Sequence, residues 1–170
     1  MLLPISVRAQ SSRAEYQSKA AFIFHFAQLV DWPPEVSGSL DRPLIFCVAN
    51  ENALNGLLEE TVRGKQIALH PVQVRHLLDN DNPRSCDLLF IAGQDKKRIA
   101  ALLKAVNHSP ILTVGESEDF IRQGGMIGFG LQDSRICFDV NLQAARRANL
   151  KISSRLLLLA KSVTGDSKPG

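Results

Sequence analysis

The sequence predicts a single three-layer α/β domain with a mainly parallel sheet, helices on both faces and an antiparallel hairpin near the carboxyl end. Three short apolar runs, Leu44–Val48, Asp87–Ile91 and Ile111–Val114, are separated by segments with helical periodicity. Strands that are apolar on both faces are typical of a parallel sheet covered on two sides. The chain has 170 residues, 45% of them hydrophobic and 22% charged, which is ordinary for one globular domain.

The first element is predicted to be a helix between the polar residues 11–13 and Trp32-Pro33-Pro34. Apolar side chains recur every three or four residues from Tyr16 to Val30. Proline disfavours helical backbone in the residue before it, so the helix should stop near Trp32. Because the helix is apolar around most of its girth, it is either enclosed between layers or part of an interface.

Strands and helices are predicted to alternate through the middle of the chain. A helix over Asn52–Arg63 is closed by Gly64, and an edge-like strand follows over Ile67–Val74, where Pro71 lacks a backbone donor. The later elements of this part are a loop at 80–83, the strand Asp87–Ile91, a helix over Lys96–Val106 and the strand Ile111–Val114.

The carboxyl-terminal part is predicted to hold a hairpin and then one long helix. Two strands within 126–140 flank a turn at 132–134, which would add an antiparallel edge to the sheet. The helix starts at Asn141 as its cap and runs to about residue 161, with an irregularity near Asn149. Residues 164–170 form a polar tail.

The first ten residues resemble the end of a secretory signal peptide. Leu2–Val7 is apolar, and the following residues end on the small Ala9, where a signal peptidase would cut. We therefore expect residues 1–10 to be the remainder of a leader and 11–163 to form the domain. No apolar run reaches the roughly 18–20 residues of a membrane helix, so we expect no membrane insertion.

The motifs that the sequence contains and lacks favour a binding protein over an enzyme. The net charge of +3 comes from scattered basic residues, which do not form a nucleic-acid stripe. The sequence lacks a glycine-rich phosphate loop, a Gly-x-Ser-x-Gly nucleophile motif and zinc-ligand spacing among its four histidines. We expect no cofactor, no metal and no catalytic residue.

Two alternatives remain open at this point. In the first, the protein binds a small ligand at the carboxyl ends of the strands, near Asn50, Gly93 and Glu116. In the second, it is a hydrolase that uses Glu116 or Glu118 as the acid or base. Capping of the following turn by Ser117 or Glu118 is the competing explanation for this acidic segment.

The three cysteines, Cys47, Cys86 and Cys137, lie in or beside predicted strands. In a reducing compartment they would be small buried hydrophobic residues, whereas in an exported protein two of them could pair in three ways. A bridge between Cys47 and Cys86 would join strands that we expect to be neighbours. It is the pairing we favour if the chain is exported, and it would stabilise the fold by about 3–4 kcal/mol.

The order and spacing of several segments resemble the YfiR-like family of periplasmic proteins. The resemblance spans residues 15–163. Its segments are Lys19–Phe26 with Val30–Pro33, Leu44–Val48, Cys86–Ile91, Leu112–Glu116, Phe120 with Gly124–Ile127, Ile136–Leu142 and Leu150–Leu157.

This resemblance implies a periplasmic inhibitor that binds the periplasmic sensor domain of a membrane diguanylate cyclase of the YfiN type. Binding would restrain cyclic di-GMP synthesis and biofilm formation. The resemblance also implies release linked to an outer-membrane lipoprotein and to the redox state of the cysteines. The helix with Phe22, Phe26, Leu29 and Trp32 is then a candidate partner or homodimer surface, with ordinary core as the competing interpretation.

Overall fold

The elements of the fold are given by a computed structural model that describes residues 5–39, 41–50, 54 and 56–165, with side chains from residue 12 onward. The helices of these residues are α1 (Ile5–Gln28), α2 (Pro34–Ser37), α3 (Leu57–Val62), α4 (Lys96–Ala105), α5 (Leu142–Arg147) and α6 (Ser154–Leu159). The strands are β1 (Val30–Asp31), β2 (Leu44–Ala49), β3 (Gln66–Ile67), β4 (His70–Leu77), β5 (Leu88–Ile91), β6 (Leu112–Gly115), β7 (Ile127–Gln132), β8 (Arg135–Asn141), β9 (Lys151–Ile152) and β10 (Ser162–Thr164).

Three predicted segments lie partly outside the described residues. They are residues 1–4 of the leader, residues 51–53 and 55 of the helix predicted over Asn52–Arg63, and residues 166–170 of the tail. Within the described part, α1 includes backbone from Ile5 onward that the sequence analysis assigned to the leader.

The central sheet confirms the predicted fold class. Its order is β10-β8-β7-β6-β5-β2-β4-β3. The pairs β4–β2, β2–β5, β5–β6 and β6–β7 are parallel, and β7–β8 is the predicted antiparallel hairpin. This hairpin turns through Asp133 and Ser134, which both have positive φ angles. A turn of two such residues matches the right-handed twist of the strands.

Helices cover both faces of the sheet, as the apolar strands predict. Side chains alternate between faces along a strand, so Phe46 and Val48 of β2 join a core beneath α1 and α3. Cys47 and Ala49 point to the opposite face, where α4 covers them. The helix predicted over Lys96–Val106 is α4, and the Asp95 carboxylate caps it by accepting from Arg98 N at 3.2 Å.

The single long helix predicted after the hairpin is wrong. The chain leaves α5 through Asn149, whose φ of 58° is incompatible with continuing a right-handed helix. It then forms β9, which pairs with β1, and restarts at Ser153, whose hydroxyl caps α6. The hairpin is also not the edge of the sheet, because β10 pairs in parallel with β8 beyond it.

The prediction of one continuous strand over Ile67–Val74 is wrong. It is a tight antiparallel hairpin, in which β3 turns into β4 through Ala68 and Leu69 with φ angles of 50° and 72°. Neither residue is a usual one for such a turn, so the sequence offers no signal for it. Since β3 covers only the first residues of β4, most of β4 is an edge, as expected near Pro71.

Candidate functional site

The first candidate site is the disulfide on the α4 face of the sheet. Cys47 on β2 and Cys86, just before β5, are joined, and their Cα atoms are 5.8 Å apart. Both residues are buried. Because β2 and β5 are adjacent parallel strands, the bridge adds a covalent link between elements that hydrogen bonds already pair. Cys137, on β8, is a half-buried free thiol.

An ion pair between the buried Asp87 carboxylate and the partly exposed Arg42 guanidinium lies next to the disulfide. The carboxylate of Asp87 accepts from both terminal nitrogens of Arg42, at 3.0 and 2.7 Å, and from the backbone N–H of Ile45 at 2.8 Å. The backbone carbonyl of Arg42 lies 2.8 Å from Nδ1 of the buried His70. These contacts tie the amino ends of β2 and β5 to the start of β4.

Sequence reasoning missed Arg42, Asp87 and His70 as members of this group. One signal was available, because Asp87 stands between a cysteine and a run of four apolar strand residues. A carboxylate next to a buried strand must be paired or exposed to water. The identity of its partner could not be predicted, since Arg42 lies 45 residues earlier in the chain.

The predicted partner surface divides into one core residue and three half-buried ones. Phe26 is 1% exposed, and its ring centroid lies 4.8 Å from that of Phe138 and 5.5 Å from that of Phe129. Phe26 is therefore corrected to a core residue, because α1 packs this face on the β7–β8 hairpin. Phe22, Leu29 and Trp32 are half-buried residues at the edge of the same core.

The side chain of Trp32 is fixed by a hydrogen bond from its indole nitrogen to the backbone of α1. Its indole N–H donates to the carbonyl of Ala27 at 3.1 Å, which helps to satisfy the end of α1. A second carbonyl group near the end of α1 also has a partner, because Leu29 O accepts a hydrogen bond from the backbone N–H of Ser153 at 2.9 Å. The amino-terminal helix is thereby fixed to the β9 segment near the carboxyl end of the chain.

The residues predicted for a small-ligand site lie at the carboxyl ends of the strands, and Asn50 and Glu116 each line a different cavity of the described part. Asn50, at the end of β2, accepts a hydrogen bond from Arg98 and lines a cavity with residues 76–81. Glu116, at the end of β6, lines a different cleft with Lys19 of α1. Gly93 has a φ of 84°, which marks the turn between β5 and α4.

Glu116 has two partners that sequence reasoning missed. Its Oε1 accepts from the Tyr16 hydroxyl at 2.7 Å and lies 3.5 Å from Lys19 Nζ. The signal in the sequence is Lys19 itself, a charged residue directly before the apolar run Ala20–Phe24, and its side chain is 6% exposed. Glu118, the other residue of the hydrolase alternative, is exposed.

A third acidic residue of this region is engaged by neighbouring cations. Asp119 contacts Lys96 at 2.7 Å and also binds Arg122. The hydrogen bond from Lys96, with the positive charge of Arg122, lowers the pKa of Asp119, and partial burial opposes this effect. Among the described residues, no group of three or more His, Cys, Asp or Glu side chains could hold a metal ion.

The geometry defines a class of protein: a mainly parallel α/β domain with one internal disulfide. The chain belongs to the YfiR/HmsC-like family, whose model matches residues 16–161. This match confirms the family that the sequence resembles. No curated protein matches the chain.

Solved structures show a similar fold. Eight chains match, among them a crystal structure of a conserved domain protein from Vibrio cholerae O1 biovar El Tor. It is 14% identical, with a TM-score of 0.51 over 71% of this chain. The matched region spans 54% of that chain's length, so the two share a fold over part of the larger protein.

Proposed function

We propose that this protein is a periplasmic regulator that represses a membrane-bound diguanylate cyclase by binding the cyclase's periplasmic sensor domain. The observation that carries the proposal is the family match over residues 16–161, because the resemblance to YfiR-like proteins implies a regulatory role. Repression would lower cyclic di-GMP and with it biofilm formation. In the same proposal, residues 1–10 are the remainder of an export leader, and an outer-membrane lipoprotein relieves the repression.

The disulfide supports a site of action outside the cytosol. Structural disulfides persist in oxidising compartments such as the periplasm and are rare where thiols are kept reduced. The bridge between Cys47 and Cys86 is buried, as a structural disulfide is expected to be. Separately, no helix among the described residues is both long and apolar enough to cross a bilayer.

Repression requires that the protein bind the inactive sensor more tightly than the active one. A ligand shifts an equilibrium only by its difference in affinity for the two states. We assign the contact to Phe22, Leu29 and Trp32, because these large apolar side chains are half-buried. Phe22 lies in α1, and Leu29 directly follows its last residue and still donates its N–H to His25 O. The two side chains are seven residues apart and so lie on one side of the helix, two turns apart.

The redox part of the proposal follows from the position of the bridge. Reduction would remove the covalent link between β2 and β5 and so lower the population that is folded and able to bind. The Asp87 ion pair would remain and would hold the strands together in part.

The test is the affinity of the oxidised and reduced protein for the isolated sensor domain of a cyclase encoded beside it. We expect tighter binding by the oxidised protein and weak binding by a Cys47→Ser/Cys86→Ser variant, with Cys137→Ser as the matched control. Equal affinities in both redox states would disprove redox control alone. Failure of the oxidised protein to bind any such sensor would disprove the repressor proposal.

The surface assignment has a separate test. Phe22→Ser, Leu29→Ser and Trp32→Ser should each weaken sensor binding while the oxidised protein remains folded. Sedimentation of the free protein tests the homodimer alternative. If these substitutions dissociate a dimer and leave sensor binding unchanged, the surface joins two copies of the chain and the sensor contact lies elsewhere.

A further inference from the structure

A cleft lies at the carboxyl end of β6, between α1 and the β7–β8 hairpin. We call it the Glu116 cleft; its volume is about 490 Å³. Glu15 and Lys19 line it from α1, residues 116–118 from the end of β6, and residues 128–131 from β7. In open α/β sheets, ligands bind outside the carboxyl ends of the strands, which is where this cleft is.

Most of the charged side chains that line the cleft are negative. Four carboxylates, those of Glu15, Glu116, Glu118 and Asp139, line it together with one ammonium group, that of Lys19. This ammonium group is already engaged, because Lys19 Nζ lies 2.9 Å from Glu15 and 3.5 Å from Glu116. The cleft is therefore acidic in a chain whose net charge is +3. An acidic, partly enclosed cleft concentrates cations.

Two buried oxygen atoms in the wall have no partner. Oε2 of Glu116 and Oγ of Ser117 lack a hydrogen bond within the described residues. The Glu116 side chain is 9% exposed, and Ser117 is 6% exposed. A carboxylate oxygen can only accept, and a buried acceptor without a donor is unfavourable. A donor that enters the cleft would satisfy the Glu116 oxygen, and this observation is independent of the acidic lining.

We propose that the Glu116 cleft binds a small organic cation, an amine or a guanidinium compound. The positive charge matches the lining, and the N–H groups supply donors for Glu116 Oε2 and Ser117 Oγ. Phe129 and Leu131 line the same cleft and offer apolar contact to the carbon chain of such a ligand. This site does not depend on the repressor proposal, and either can fail without the other.

The test is titration calorimetry of the full chain with agmatine, cadaverine and spermidine. We expect at least one of them to bind and the uncharged analogue butylurea not to bind. A capped Gly-Arg-Gly peptide distinguishes a protein side chain as the source of the cation. Binding of the peptide alone, or no binding of any of the three cations up to about 5 mM, would overturn the proposal.

The informative variant is Glu116→Gln. Its amide keeps a carbonyl oxygen for Tyr16 and Lys19 but replaces the unpaired acceptor by a donor, so the fold is retained while a cation loses its partner. We expect the Kd to rise about tenfold or more. Glu60→Gln, an exposed carboxylate of α3 outside the cleft, is the matched control and should leave the Kd unchanged.

Two further measurements keep the test decisive. Thermal unfolding of unliganded Glu116→Gln shows whether this variant is folded. If Glu116→Gln does not fold, Glu118→Gln is used in its place, because it removes an exposed carboxylate of the same cleft. Glu118→Gln should weaken binding about twofold to threefold, as expected for an exposed charge. Unchanged affinity in folded Glu116→Gln would place the bound cation elsewhere and overturn the assignment.

Discussion

The two ends of the central sheet differ in whether their buried polar groups have hydrogen-bond partners. At the amino end, Asp87 accepts three hydrogen bonds from Arg42 and Ile45 beside a disulfide. At the carboxyl end, buried polar atoms lack partners. Those found among the described residues are Nδ2 of Asn50, Oε2 of Glu59, Oε2 of Glu116, Oγ of Ser117 and Oε1 of Gln123.

This difference separates a part of the molecule built for stability from a part available for binding. Unpaired buried groups are rare in folded proteins, and they mark places where a water, an ion or a ligand completes the structure. Asn50, Glu116 and Ser117 come just after the ends of β2 and β6, whereas Arg42 and Asp87 come just before the starts of β2 and β5. We infer that the amino end supplies the rigidity that lets the carboxyl end carry unsatisfied groups.

The largest expected effect comes from removing the disulfide. For a bridge that joins residues 39 apart, the chain-entropy model gives a loss of about 4 kcal/mol in the free energy of unfolding for Cys47→Ala/Cys86→Ala. Urea unfolding under non-reducing conditions measures it. Cys137→Ala is the control and should lose much less, because this thiol is half-buried and unbridged. Equal losses in the two variants would contradict a stabilising role for the bridge.

The next effect tests the ion pair at the same end. Asp87→Asn should lower the free energy of unfolding by about 2–3 kcal/mol, because the Arg42 guanidinium then meets an amide and its charge-assisted pair with a buried carboxylate is broken. The loss is less than for a fully enclosed pair, since the Arg42 side chain is 37% exposed. Glu118→Gln, which neutralises an exposed carboxylate at the other end, is the comparison. If it destabilises the protein as much, the two ends do not differ.

A substitution at the carboxyl end should act in the opposite direction. Ser117→Ala removes a buried hydroxyl that has no partner, so we expect a change between zero and a gain of about 1 kcal/mol in stability. Differential scanning calorimetry of the unliganded protein measures it. A clear loss of stability would mean that the hydroxyl is satisfied in solution and that the contrast between the ends is smaller than the structure indicates.

The smallest effect is a dependence on pH at Asp119. Its folded pKa is lowered, so its ion pair stabilises the fold above the ordinary pKa of 3.8 and is lost as pH falls through the folded value. The wild type should therefore be more stable than Asp119→Asn near neutral pH, and the gap should close in acid. Melting temperatures of both proteins from about pH 6 to pH 3 test this. A gap that stays constant would contradict the pKa assignment.

Elements with a strong local signal were predicted well. The buried strands, the capped helix α4 and the β7–β8 hairpin all follow from short-range periodicity and turn residues. The long carboxyl-terminal helix was wrong because Asn149 and Ser153 are a weak stop and start signal. Between them the chain forms β9, which pairs with β1, and this pairing joins segments about 120 residues apart. The β3–β4 turn was missed because Ala68 and Leu69 are atypical turn residues.

The sequence by itself determined the alternation of strands and helices and the family, and it favoured Cys47 and Cys86 among three possible cysteine pairings. Each of these depends on residues that are near one another in the chain or on the order of motifs along it. Tertiary structure alone decided that Asp87 meets Arg42 and that Glu116 meets Tyr16, which lies 100 residues away. Such contacts depend on how the helices pack on the sheet, and no local periodicity encodes that packing. The same packing left Glu116 Oε2 without a donor, which is the basis for the proposed cation site.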